Sequence, residues 1–284
     1  MGQKKLAIVV DSTAGIPEES CEKHNIHVIP LILNWEGKSY LDGVDITPTE
    51  FYEKLPSAKE FPSTSQPSAG EFHDVFSKLA ENNESIIGIF ISSRLSGTVD
   101  SARMAAEMMP DYQIDIIDSQ TTSMSLGYIA IAMARAIEGG ASHQEAVNLA
   151  HELIPLTRTL FVVDTLEFLH KGGRIGGATR LFGSMLTIRP VLHLEDGRIE
   201  TFAKVRTKKK ALQHVLQFAS EDSSGKGKLH AAIMHAAAPE EAAIFRDKVQ
   251  EVLNPSDIML SELSPVLGAH AGPGLVGLAF YNEP

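Results

Sequence analysis

Three clusters of side chains in this sequence have the chemistry to hold an anion. The first is Ser92-Ser93-Arg94-Leu95-Ser96-Gly97-Thr98, where an apolar strand pattern ends and a helical pattern begins. Amides at a helix start point outward without partners, and the dipole there favours negative charge. Ser96 and the amide of Gly97 can therefore receive a carboxylate or phosphate, although a plain N-cap accounts for the same residue types. The second cluster, Thr64-Ser65-Gln66-Pro67-Ser68, is a hydroxyl-rich turn stiffened by Pro62 and Pro67, and it reads equally well as a simple lead into a helix. The third, Gly268-Ala269-His270-Ala271-Gly272-Pro273-Gly274, sets His270 among glycines and a proline in what reads as a constrained loop.

Other chemistries lack their residues. No histidine pair at i, i+4 encloses a helical glutamate, and a single cysteine, Cys21, cannot build a thiolate metal site, so no metal is expected. Ser96, His270 and an aspartate can in principle form a hydrolase triad, but no G-x-S-x-G elbow is present, and a serine at a helix cap directs its lone pair at the backbone. The G-x-x-x-x-G-K-[ST] phosphate loop of nucleotide-binding proteins is missing too. Lys171-Gly172-Gly173-Arg174-Ile175-Gly176-Gly177 is either a phosphate nest around Arg174 or a tight connection. Lys204, Arg206, Lys208, Lys209 and Lys210 form one basic island. Three lysines at a helix start oppose its dipole, so an acidic partner surface or a phosphate suits them better than helix stability does.

Composition narrows the field further. The 284 residues carry 25 Lys and Arg against 36 Asp and Glu, a net charge of −11, which repels a phosphodiester backbone. Nucleic-acid binding is not expected. With 43% apolar residues the chain has material for one large or two modest cores. One cysteine suits a reducing compartment, and the first apolar run meets Asp11 too soon for a signal peptide or membrane span. A cytoplasmic protein without stable membrane insertion is expected.

The elements that must position these clusters are also legible. Leu6 to Val10 is a continuous apolar run ended by Asp11-Ser12-Thr13, as in a strand of a parallel sheet buried on both faces. The same grammar recurs at Ile86 to Ile91 (IIGIFI) and Ile114 to Ile117 (IDII), each ending in hydroxyl or acidic residues. Helical patterns over roughly Gly97 to Met109 and Thr121 to Glu138 alternate with them. Thr47-Pro48-Thr49-Glu50 and Ser68-Ala69-Gly70-Glu71 fit capping boxes. After a strand at Leu160 to Val163, the glycine-dense stretch leads to an apolar helix, and Val191 to Phe202 alternates around Asp196-Gly197, a hairpin signature. Helices at Thr207 to Ala219 and Pro239 to Leu253, with strands at Ala231 to His235 and Leu275 to Tyr281, complete the pattern. The expected fold is α/β in two lobes. Residues 1–159 form a mainly parallel α/β lobe, and residues 160–284 form an α+β lobe with an antiparallel or mixed sheet. The boundary is soft because the chain can cross between lobes.

Taken together, the motifs resemble one family, the DegV proteins, whose FakB members are bacterial fatty-acid carriers. The match runs through Asp11-Ser12-Thr13-Ala14, Asp42-Gly43-Val44-Asp45-Ile46-Thr47, the Thr64 and Ser92 clusters, and Asp164-Thr165-Leu166. It continues through Lys171 to Gly176, Lys204-Val205-Arg206 and His270 to Gly274. The resemblance implies a long-chain fatty acid enclosed between two lobes, its carboxylate held by Thr64, Ser96, the Gly97 amide and nearby His270. It further implies that the protein is not an enzyme and needs no cofactor. The implied role is that of lipid carrier for a separate fatty-acid kinase subunit with a dihydroxyacetone-kinase-like nucleotide domain, which makes acyl phosphate. Arg174, Lys204 and Arg206 are then associated with phosphotransfer or kinase docking. Gly15, Arg94 and Leu275 depart from the family pattern and bear on chain preference and head-group surroundings.

The energetics are reasonable. About 16 methylenes at roughly 0.8 kcal/mol each give on the order of 13 kcal/mol of gross transfer energy, from which ordering costs are subtracted. A buried carboxylate needs replacement donors, which hydroxyls and a helix-start amide supply. Neutral donors would leave its oxygen nucleophilic toward a γ-phosphate, with Arg174 neutralising charge developing in the transfer. Two other readings remain at this point: a serine-dependent acyl hydrolase using Ser96 and His270, and a small-anion-binding regulatory protein.

Overall fold

The computed structural model describes residues 6–184 and 188–284, which fold as α/β around three sheets. Lys4 and Lys5, ahead of the first apolar run, lie outside the described residues. The chain begins with β1 (Leu6–Asp11), a short helix α1 (Glu18–Lys23) and β2 (Ile26–Ile29). An antiparallel excursion follows, made of β3 (Ile32–Trp35), β4 (Lys38–Leu41), helix α2 (Pro48–Lys54) and β5 (Ser63–Ser65), in the order β4-β3-β5. Helix α3 (Ala69–Ala80), β6 (Ser85–Phe90), α4 (Thr98–Glu107) and β7 (Gln113–Asp118) then return to the first sheet. That sheet is wholly parallel, ordered β2-β1-β6-β7.

Both faces of the central strands β1 and β6 are covered, which explains why these two read as unbroken apolar runs. Ala7, Val9, Ile86 and Phe90 pack with α3 and α4 on one face, while Ile8, Val10, Ile87 and Ile89 face the main core. Two capping boxes fix the starts of α2 and α3. Thr47 accepts from the Glu50 amide and Ser68 from the Glu71 amide, and each glutamate accepts in return from its cap residue.

Helix α5 (Ser123–Glu138) is apolar nearly all round, with eleven buried residues, because it lies between sheets. It touches β1 on one side and the later strands Leu229–His235 and Val276–Asn282 on the other. Helix α6 (His143–Leu153), opened by a third capping box at Ser142 and Glu145, packs beside it. From β8 (Arg158–Val162) the chain builds the second large sheet, with α7 (Glu167–Lys171), β9 (Arg189–Glu195), β10 (Arg198–Val205), α8 (Lys208–Ser223), β11 (Leu229–His235), α9 (Pro239–Leu253), β12 (Asp257–Glu262), α10 (Pro265–Ala271) and β13 (Val276–Asn282). Its order is β10-β9-β8-β13-β11-β12, antiparallel except for the parallel pair β11 and β12. Helices α8 and α9 cover one face; Phe161, Ala232, Met234 and Tyr281 on the other face join the core around α5.

The expected hairpin forms at Asp196-Gly197, where both residues take positive φ, 48° and 77°, as a two-residue turn between right-twisted strands requires. Two local expectations need correction. The stretch after Arg174 is a run of 3₁₀ turns over Gly176–Ser184 and not an apolar α-helix, because its glycines weaken regular helix and hold the backbone against β10. His270 is not in a loop: it occupies the last turn of α10, which ends at Gly272 with φ 72°. The three short strands β3, β4 and β5 and the edge strand β12 were not foreseen. Among the described residues no helix is long and apolar enough to cross a membrane.

Candidate functional site

A cavity opens where the carboxyl ends of the parallel strands face α10 and the mixed sheet, the place where open α/β sheets gather ligands. Leu31 follows β2, Ile91, Leu95 and Ser96 follow β6, and Thr122 and Ser123 follow β7. Phe161, Leu194, Ile199, Met234, Leu263 and Leu275 form much of the apolar wall. The space between the lining atoms is about 780 Å³ counting its open mouth. Polar groups also converge on it: Thr64, Ser96, Arg174 and His270 all line it.

Each of these side chains is held by a different part of the fold. Thr64 is the middle residue of β5, in register with Leu33 of β3. Its Oγ1 lies 2.7 Å from Nε2 of His270. Behind His270 runs a chain of hydrogen bonds that the motifs at Asp11 and Asp42 supply. Buried Asp11 accepts from the amides of Thr13 (2.9 Å) and Ile91 (2.6 Å), joining the ends of β1 and β6. Ser12 donates to Asp42 at 2.6 Å, and Asp42 accepts from the Val266 amide at 3.2 Å, in the first turn of the helix that carries His270. Burial raises both carboxyl pKa values, and these hydrogen bonds oppose that shift.

Two glycines allow the close approaches the site needs. A β-carbon on Gly172 would stand 2.1 Å from Nδ1 of His270, so the first glycine of Lys171-Gly172-Gly173-Arg174 is where the imidazole packs against that loop. A β-carbon on Gly97 would stand 2.8 Å from Nε2 of Gln66, which ties the Ser92 cluster to the Thr64 cluster. Arg174 donates from Nε to the Leu95 carbonyl at 3.1 Å and from a terminal nitrogen to the Gly172 carbonyl at 2.7 Å. Burial, with the nearby Arg174 guanidinium, pulls the His270 pKa down to about 4, so the imidazole is neutral at pH 7.

The sequence expectations for the site divide cleanly. Thr64, Ser96, His270 and Arg174 come together at one cavity. Gly97, directly after Ser96, is itself the N-cap of α4, so Ser96 does not cap as expected; its Oγ pairs with Thr98 Oγ1 at 2.8 Å. Lys204 and Arg206 are exposed at the end of edge strand β10, away from the cavity lining. Lys208 does not simply oppose the α8 dipole, since it reaches Asp164 at 3.1 Å, Glu241 at 2.5 Å and the Gly274 carbonyl at 2.6 Å. Of the departures, Leu275 is a cavity wall residue, whereas Arg94 is exposed.

The triad expectation for a hydrolase does not fit this geometry, because His270 Nε2 is engaged by Thr64 and Ser96 by Thr98. A serine–histidine–aspartate chain does occur elsewhere, Ser85 to His143 at 2.8 Å and His143 to Asp115 at 2.7 Å. It sits toward the amino ends of β6 and β7 with Ser85 buried, and it pins α6 to the sheet. No spacing in the sequence announced it.

The fold and cavity define a class: an α/β protein with a largely apolar cavity between a parallel and a mixed sheet. A family model described as "Uncharacterised protein, DegV family" matches residues 5–283, and the chain belongs to the DegV family. It is 38% identical over 280 residues to a DegV domain-containing protein of Clostridium perfringens, covering 97% of this chain and 98% of the relative. Among solved structures, a DegV family protein from Thermus thermophilus described by its fatty-acid binding superposes with a TM-score of 0.94 at 32% identity, covering 98% and 100% of the two chains. DegV of Bacillus subtilis, described as a fatty acid binding protein, matches with a TM-score of 0.92 at 32% identity, covering 99% and 100%. A stearic acid-binding protein from Eubacterium ventriosum matches with a TM-score of 0.88 at 29% identity, covering 97% of each chain.

Proposed function

We propose that this chain binds a long-chain fatty acid and presents its carboxylate to a separate ATP-dependent kinase subunit that makes acyl phosphate. The observation that carries the reading is the meeting of Thr64 and His270 beside Ser96 and Arg174 at one polar part of a largely apolar cavity. The two lobes, residues 1–159 and 160–284, close on the acyl chain from opposite sides. Thr64, Ser96, the Gly97 amide and neutral His270 receive the carboxylate, and burial of the methylenes supplies most of the affinity. Solved relatives described as fatty-acid binding support the ligand class.

In this reading the protein is a cytoplasmic carrier and not a catalyst. Arg174, partly tied to backbone carbonyls, offsets charge as phosphate is transferred, and Lys204 and Arg206 meet the kinase subunit with its dihydroxyacetone-kinase-like nucleotide domain. The test is reconstitution: delipidated protein loaded with oleate, supplied with ATP and the cognate kinase subunit, should yield acyl phosphate. Bound oleate that the kinase never phosphorylates would remove the carrier role and leave lipid binding standing.

A further inference from the structure

The cavity wall carries a second polar point that the head-group residues do not use. Thr122 and Ser123 both line the cavity, on the loop and first helical residue after β7, and neither Thr122 Oγ1 nor Ser123 Oγ finds a hydrogen-bond partner although both atoms are buried. Ser123 is only 4% exposed. Thr159 lines the same space, but its Oγ1 is already engaged by Ser125 at 2.6 Å and Thr121 at 3.1 Å. The two free hydroxyls therefore stand out against walls of leucine, isoleucine, phenylalanine and methionine.

Their local backbone makes the arrangement specific. Thr122 is the N-cap residue of α5 with extended backbone, φ −157°, the position at which a threonine ordinarily accepts from a helix amide, yet its side chain makes no capping bond. Ser123 adopts φ 55°, in the left-handed region that a serine seldom occupies. One hydroxyl makes no capping bond at a cap position, and the next is held by an uncommon backbone. A buried polar group without a partner is costly, and a ligand oxygen would satisfy it.

We propose that Thr122 and Ser123 form a subsite for a hydroxyl group on the acyl chain, so that hydroxylated long-chain fatty acids are preferred ligands. This rests on the fatty-acid-binding reading above. A chain hydroxyl both donates and accepts, and so pairs with two rotatable hydroxyls in either orientation. A plain methylene at the same point leaves both unpaired. Discrimination of this kind is strong where a site's own buried polar groups are otherwise left without partners.

The experiment compares stearic acid with a positional series of monohydroxystearic acids, by displacement of a fluorescent fatty acid from delipidated protein. At least one isomer should bind tighter than stearate by roughly three- to tenfold, the worth of one or two hydrogen bonds. Thr122→Val keeps the branched shape and removes no cap, while Ser123→Gly suits the positive φ. The ratio of hydroxystearate to stearate affinity should fall toward one or below in Thr122→Val and in the double variant, whatever the stearate affinity itself does. Isomers that all bind no better than stearate, or a preference that survives both substitutions, would overturn the subsite while fatty-acid binding stands. Failure of stearate and every isomer to bind would overturn both.

Discussion

Thr64 Oγ1 and His270 Nε2 meet at 2.7 Å although 206 residues separate them in the chain. The contact joins a three-residue strand to the last turn of a seven-residue helix, elements too short to hold their places alone. Their positions come from the sheet pairing of Thr64 with Leu33 and from the hydrogen bonds running through Ser12, Asp42 and Val266. Thr64→Val combined with Ser96→Ala should therefore weaken oleate binding by about tenfold or more, since hydrogen bonds to a charged group contribute roughly 1.5–3 kcal/mol each. Displacement of a fluorescent fatty acid measures it, and unchanged affinity rejects the head-group assignment.

Acid should destabilise the fold through His270. Its pKa is about 4 in the folded chain, against an ordinary 6.5. Between those values the unfolded chain binds a proton that the folded chain does not, so stability falls as pH is lowered through this window and is level above it. Burial lowers His27, His193 and His235 in the same direction, while raised His230 and the raised carboxyls of Asp11 and Asp42 act the opposite way. Urea unfolding of wild type and His270→Gln across this pH range should give a shallower slope for the variant. Equal slopes would mean that His270 titrates normally in the folded protein.

Neighbouring glycines should respond differently to one added methyl. A β-carbon on Gly172 would meet His270 Nδ1 at 2.1 Å, whereas one on Gly173 meets nothing within 4 Å but sits at φ 71°. Gly172→Ala should displace the imidazole, lose about 1–3 kcal/mol of stability to overpacking and weaken fatty-acid binding. Gly173→Ala should lose roughly 1–2 kcal/mol to backbone strain alone and keep its ligand. Thermal melts with parallel binding titrations separate the two; equal loss of binding in both would show that the close approach to His270 is not what matters.

Arg174 separates binding from transfer. Its guanidinium is partly anchored on the carbonyls of Leu95 and Gly172 and lines the cavity beside His270. Arg174→Ala should retain copurifying lipid yet slow acyl phosphate formation with the kinase subunit by about a hundredfold, the size of effect seen when one charge-stabilising donor is lost. Loss of lipid with normal turnover of the remainder would assign the arginine to binding instead.

Much of the scaffold was legible because strong local signals agree with the tertiary structure. The buried strands β1 and β6, the edge strand β7, the capping boxes at Thr47 and Ser68 and the Asp196-Gly197 turn each carry a pattern that survives packing. What was illegible depends on long-range contacts. β5 is three polar residues, Ser63–Ser65, that become a strand only because β3 offers its edge. β12 is an edge strand whose half-exposed residues show no clean alternation. His270 read as part of a loop because the glycines around it suggest irregular backbone, yet Gly268 and Gly272 let α10 pack closely on Tyr52 and Phe168. The convergence of Thr64, Ser96, Arg174 and His270 came from family resemblance, and no local pattern would have joined them. The hydroxyls of Thr122 and Ser123 were missed since the first has the sequence position of an ordinary cap.

The central claim is that the space bounded by Thr64, Ser96, Arg174 and His270 is an acyl site, and mass spectrometry of the lipid extracted from purified protein tests it most directly. A long-chain fatty acid should be recovered at close to one per chain, and after delipidation added oleate should restore that occupancy. A protein that yields no acyl chain and takes up none when oleate is supplied contradicts the account.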